Sequence, residues 1–193
     1  MKIQARIGAF ETNSSTNHTL CIVKPDANKL HSSAFFATLP DSITVPCFNG
    51  EDAIEELYKL EDEMNRINLG DLPLDKRVTL LVASVLNSGA SNLAETRDSV
   101  QEVLGKIGVS LFIDWAAVSR LCRGYYQDGA FNLLNGMNRE EIEAFLLADD
   151  CQYACWCDEG CCPPPDEYSD LIDKIESLSK ERQDDIIVLN NRC

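Results

Sequence analysis

The sequence predicts an α+β fold. A small antiparallel sheet, made from an N-terminal hairpin with the C-terminal strand as a candidate third member, is covered by four or five helices. Three observations predict it. Short β-branched runs bounded by proline or polar loops lie toward the two ends of the chain. Through the middle, apolar residues recur at spacings of three and four, the helical period. Four or five such helical segments accompany the few strand candidates, enough to cover one face of a small sheet. The 193 residues are 45% hydrophobic and 25% charged, a globular balance that suits a single domain spanning 1–193. A Cys- and Pro-rich loop segment is expected at 148–166 within it.

Residues 2–8 alternate loosely between apolar and polar and read as a strand. Residues 10–17 are rich in Thr, Asn and Ser and read as a loop. Leu20, Cys21, Ile22 and Val23 form an apolar second strand that Pro25 ends, close enough to the first for a hairpin. Residues 43–45, between Pro40 and Pro46, give a short third strand. Ala53, Leu57, Leu60, Met64 and Ile67 then mark one face of a helix whose first turn is acidic, as the helix dipole favours. Leu74, Val78, Leu81, Val82 and Val85 form the stripe of a second, amphipathic helix that Gly89 ends. Asn92 and Glu95 make a candidate capping box for a third, closed by Gly105 and Gly108. Residues 109–113 read as a strand, and Asp114 is placed to cap a short helix over 115–121. Asn138 and Glu141 repeat the capping box. Leu171, Ile172, Ile175 and Leu178 mark a last helix, and residues 186–189 a short buried strand.

The most informative stretch is 6–18, which reads Arg-Ile-Gly-Ala-Phe-Glu-Thr-Asn-Ser-Ser-Thr-Asn-His. It carries a cation, a carboxylate, amides, hydroxyls and one of the two histidines of the chain. Three readings of it compete. Asn, Ser and Thr side chains bond local backbone and fix an irregular turn, with Glu11 paired to Arg6. Alternatively, Thr12, Asn13, Ser14, Ser15 and His18 hold a phosphate-bearing ligand with Arg6 as charge partner. In the third, His18 is a general base, Ser14 or Ser15 a nucleophile and Glu11 the supporting carboxylate. No strand–turn–helix nucleophile elbow accompanies these serines. His31, the other histidine, reads as a surface or loop residue.

This stretch resembles the N-terminus of a family of uncharacterised proteins from bacteriophages and Gram-positive bacteria, which runs approximately Arg-x-Gly-x-Phe-Glu-Thr-Asn-Ser-Ser-Ser-x-His-Ser. The match is at Arg6, Gly8, Phe10, Glu11, Thr12, Asn13, Ser14, Ser15 and His18. Thr16 and Thr19 depart from it while keeping a hydroxyl. The resemblance covers this stretch alone and implies a phage or prophage origin. It attaches no activity, and it does not account for the cysteines downstream.

The chain has nine cysteines, of which Cys151, Cys155, Cys157, Cys161 and Cys162 lie close together. Zinc takes four sulfur or nitrogen ligands in a tetrahedron, so this density makes zinc the candidate cofactor. The spacing is not that of paired C-x2-C knuckles, and two other readings stand: reduced thiols packing as small apolar groups, and disulfides. No Gly-rich dinucleotide fingerprint, Walker-type lysine loop, H-E-x-x-H or EF-hand pattern occurs.

Lys+Arg number 17 against 32 Asp+Glu, a net charge of −15. That excludes a broad electrostatic grip on nucleic acid and disfavours anionic membranes. The opening lacks a secretory apolar core, and no apolar run approaches the roughly 18 residues of a membrane span. A cytoplasmic location is expected, the host cytosol if the chain is phage-encoded. Acids concentrate at 51–63, 140–150 and 158–176, either as solvated faces or as a nucleic-acid-like decoy surface. Three functions remain open: a phage accessory protein that binds a host component or small nucleotide and interferes with a host process such as antiviral defence, a small hydrolase or transferase, and an acidic decoy.

Overall fold

A computed structural model describes residues 16–24, 39–45, 59–60, 69, 72–87, 93–116, 129–148, 150–157 and 185–192. Residues 16–19, 153–157 and 190–192 are described through their backbone pairing. The elements in chain order are β1 (Thr16–Val23), β2 (Ser42–Thr44), α1 (Leu74–Asn87), α2 (Leu93–Lys106), β3 (Ser110–Phe112), α3 (Gly129–Asn135), α4 (Arg139–Leu147), β4 (Asp150–Cys157) and β5 (Ile186–Arg192). The class is α+β, with a small antiparallel sheet and four described helices.

The main sheet has the order β4-β1-β5, and both pairings are antiparallel. The Leu20, Cys21, Ile22 and Val23 run makes β1 the central strand. All four are buried, so the strand is covered on both faces and shows no alternation. The C-terminal strand joins the sheet as expected, running to Arg192. The other neighbour is the cysteine segment. Both edges of β1 are therefore filled, and residues 2–8, expected to pair with it, lie outside the described residues. The expected loop at 148–166 is corrected over Asp150–Cys157, which is a strand. The physical reason is legible: β1 offers a full row of backbone partners, and small, aromatic and thiol side chains tolerate a pleated surface.

β2 and β3 pair in parallel as a separate sheet. The Val45 amide donates to the Phe112 carbonyl (3.1 Å) and the Ser110 amide to that of Asp41 (3.0 Å), which lengthens the ladder at both ends. A parallel pair needs a crossover connection, and α1 and α2 lie within it.

α1 departs from the amphipathic expectation. Residues 77–85 are buried without a break, Arg77 and Ser84 included. A helix buried all round is a core helix, and α1 packs against α2, α3 and α4. Its hydroxyls are satisfied within the helix: Thr79 donates to the Asp75 carbonyl and Ser84 to that of Leu81, each at 2.7 Å. α3 lies on β1 and β5, and α4 on β1.

The helix ends follow the sequence signals. Asn138 Oδ1 accepts from the Glu141 amide (3.1 Å), and Glu141 Oε2 accepts from the Asn138 amide (2.7 Å), a complete capping box for α4. α2 runs through Gly105 and stops in a Schellman motif. The Val109 amide bonds the Leu104 carbonyl (2.9 Å), the Gly108 amide bonds that of Gly105 (3.2 Å), and Gly108 takes φ +76°. Exposed ion pairs tie α2 to α4: Arg139 to Glu102, and Lys106 to Glu143 at 3.0 Å. The helices expected over 53–67 and 171–178 lie outside the described residues, apart from helical residues 59–60. Among the described residues no helix is long and apolar enough to cross a membrane.

Candidate functional site

The two ends of the three-stranded sheet differ in chemistry because β1 changes character along its length. Its C-terminal half is the apolar run just described. Its N-terminal half, Thr16, Asn17, His18 and Thr19, is the tail of the polar stretch that the sequence singles out. The other two strands repeat this change. β4 leads from buried Cys151 to Cys155, Trp156 and Cys157, and β5 leads from buried Leu189 to Asn190, Asn191 and Arg192.

Register lines these residues up. Thr16 pairs with Cys157, Asn17 with Trp156 and His18 with Cys155 across the β1–β4 ladder. Asn17 pairs with Arg192, His18 with Asn191 and Thr19 with Asn190 across the β1–β5 ladder. Two rows result: Trp156–Asn17–Arg192 and Cys155–His18–Asn191. Directly opposed residues share a face and successive residues alternate. The first row therefore lies on one face, while the second lies on the face that carries Leu20, Ile22 and Cys151.

Of the residues expected to form the site, His18 is thus placed at the polar end of the sheet. Arg6, Glu11, Thr12, Asn13, Ser14 and Ser15 lie outside the described residues, as does His31. The expected route from Arg6 to His18 was strand pairing with β1, and both edges of β1 are occupied. Arg192 supplies a cation in register with Asn17, and sequence reading passed over it. The available signal was the extended character of residues 186–189, whose ladder continues into Asn190, Asn191 and Arg192 after the apolar residues stop.

Of the five clustered cysteines, three lie along β4. Cys155 and Cys157 are at the polar end, Cys161 and Cys162 lie outside the described residues, and Cys151 is in the core with no exposed surface. Burial pushes the Cys151 thiol well above its ordinary range. The neighbouring Arg77 guanidinium opposes this, and Cys21 and Asp150 add to it. Cys151 is accordingly a neutral packing group, not a thiolate. Where side chains are described, no group of three or more His, Cys, Asp or Glu converges to hold a metal.

Arg77 is the main buried polar feature. It is 1% exposed. Its Nε donates to the Leu72 carbonyl (3.0 Å), and its Nη1 to the carbonyls of Phe145 (3.0 Å), Leu146 (3.4 Å) and Ala148 (3.1 Å). A cation at the C-terminus of α4 satisfies the orphan carbonyls and faces the negative end of the helix dipole. Arg77 thereby fixes the turn from α4 into β4. It is a structural cation enclosed in core, not a ligand-facing one.

Acids at the start of α4 are engaged locally. Lys24 Nζ reaches Glu140 at 2.7 Å, and that hydrogen bond and charge hold the Glu140 carboxyl below its ordinary value. Glu141 serves the capping box and Glu143 pairs with Lys106. The acids of 51–63 and 158–176 lie outside the described residues, Lys59 and Leu60 aside.

These features define a small α+β protein with one polar sheet end. No family model, curated protein or solved structure matches the chain.

Proposed function

We propose that the chain is a phage-type accessory protein that captures a small nucleotide ligand at the polar end of its sheet and so interferes with a host process such as antiviral defence. The observation that carries the reading is the row Trp156–Asn17–Arg192. Register brings to one row three residue types whose chemistry suits a nucleotide: an aromatic residue for a base, an amide for a base edge and an arginine for a phosphate. Neighbouring strands are about 4.8 Å apart, so the row spans about 10 Å from its first to its last backbone. A single mobile nucleotide suits a short row with one cation in a chain of net charge −15, whereas a polymer would need many. The phage element of the reading rests on the resemblance of residues 6–18.

The test is a thermal-shift panel of mono-, di- and cyclic nucleotides, followed by calorimetry and pull-downs from host lysate with and without the nucleotide found. A ligand at a hundred times its Kd stabilises by about 2.7 kcal/mol, or roughly 5–11 °C for a chain of this size. Arg192→Gln and Trp156→Ala should each weaken binding tenfold or more. No shift above about 1 °C at millimolar ligand would defeat the proposal. The hydrolase or transferase alternative is read in the same tubes by chromatography, where intact nucleotides oppose it. The acidic-decoy alternative is weakened at α4, whose first acids have local partners.

A further inference from the structure

We draw no further inference here: the strongest candidate, the outward face of the β2–β3 pair, on which Phe112 is 59% exposed in register with Thr44, carries nothing because nothing among the described residues shows what covers it.

Discussion

Removing the Arg77 guanidinium should cost more than any exposed charge in the molecule, and the size of the loss follows from its partners. Three carbonyls, those of Leu72, Phe145 and Ala148, lie at 3.0, 3.0 and 3.1 Å, and the fourth, at 3.4 Å, is long. A hydrogen bond to a charged group contributes about 1.5–3 kcal/mol net, so three give an upper bound of roughly 4.5–9 kcal/mol. Desolvating the guanidinium at 1% exposure costs several kcal/mol of that. Arg77→Met fills most of the volume but leaves the carbonyls behind without their donor. We therefore expect a loss of about 3–5 kcal/mol, or some 6–20 °C in Tm. Arg77→Lys keeps the charge but not the fork that reaches Leu72 and α4 together, and should lose roughly half as much. Urea unfolding monitored by circular dichroism, with calorimetry for Tm, measures both. Amide exchange along β4 should also quicken in Arg77→Met, because the turn from α4 is what the residue fixes. If Arg77→Met falls within about 1 kcal/mol of wild type, the guanidinium is not holding that turn and the reasoning fails.

Three further perturbations test smaller pieces. Asn138→Ala removes one half of the α4 capping box and should destabilise by about 1 kcal/mol in the same urea titration. Gly108→Ala should cost about 1–2 kcal/mol, because a Cβ there would meet open space and the whole penalty is the φ of +76°; Gly108→Asn should cost less, and equal losses would point to packing instead. Cys151 has its proton affinity raised by burial, so its contribution is intact below the ordinary thiol value of 9.0 and is lost as pH rises above it. Wild-type stability should fall by up to about 1.4 kcal/mol per pH unit in that alkaline window, Cys151→Ala should remove this slope, and a thiol reagent should label Cys151 only on unfolding.

The local signals in the sequence translate directly into structure where the physics is local. The capping box at Asn138 and Glu141 and the stop at Gly108 are contacts within a few residues, and both are found. The apolar run at 20–23 and the short strand around Ile43 are strands for the same reason. Non-local choices were not legible. Nothing within 148–166 reveals that β1, more than a hundred residues earlier, offers it an edge. Likewise nothing near Arg77 in sequence reveals that α4 supplies the carbonyls that enclose it. Of the candidate site, Asn17, His18 and Trp156 were visible as residue types, but their alignment in the sheet is a matter of register.

Placing the polar residues of β1 between β4 and β5 has a consequence for how the site comes into being. β1 lies near the N-terminus, and its partners begin at Asp150 and Ile186, so both ladders close long loops. Such pairings gain nothing until the chain entropy of closure has been overcome, which the burial of Leu20, Ile22, Cys151 and Leu189 at the apolar end of the sheet supplies. The polar end continues the same ladders and shares the register of that apolar half. A one-residue slip of β4 would move Trp156, Cys155 and Cys157 each to the face opposite its own and undo the row Trp156–Asn17–Arg192. The Arg77 clamp at Ala148 opposes such a slip, since it fixes the backbone just before β4 begins. The buried cation and the polar sheet end, far apart in appearance, are on this argument one device: the first sets the phase of the strand on which the second depends.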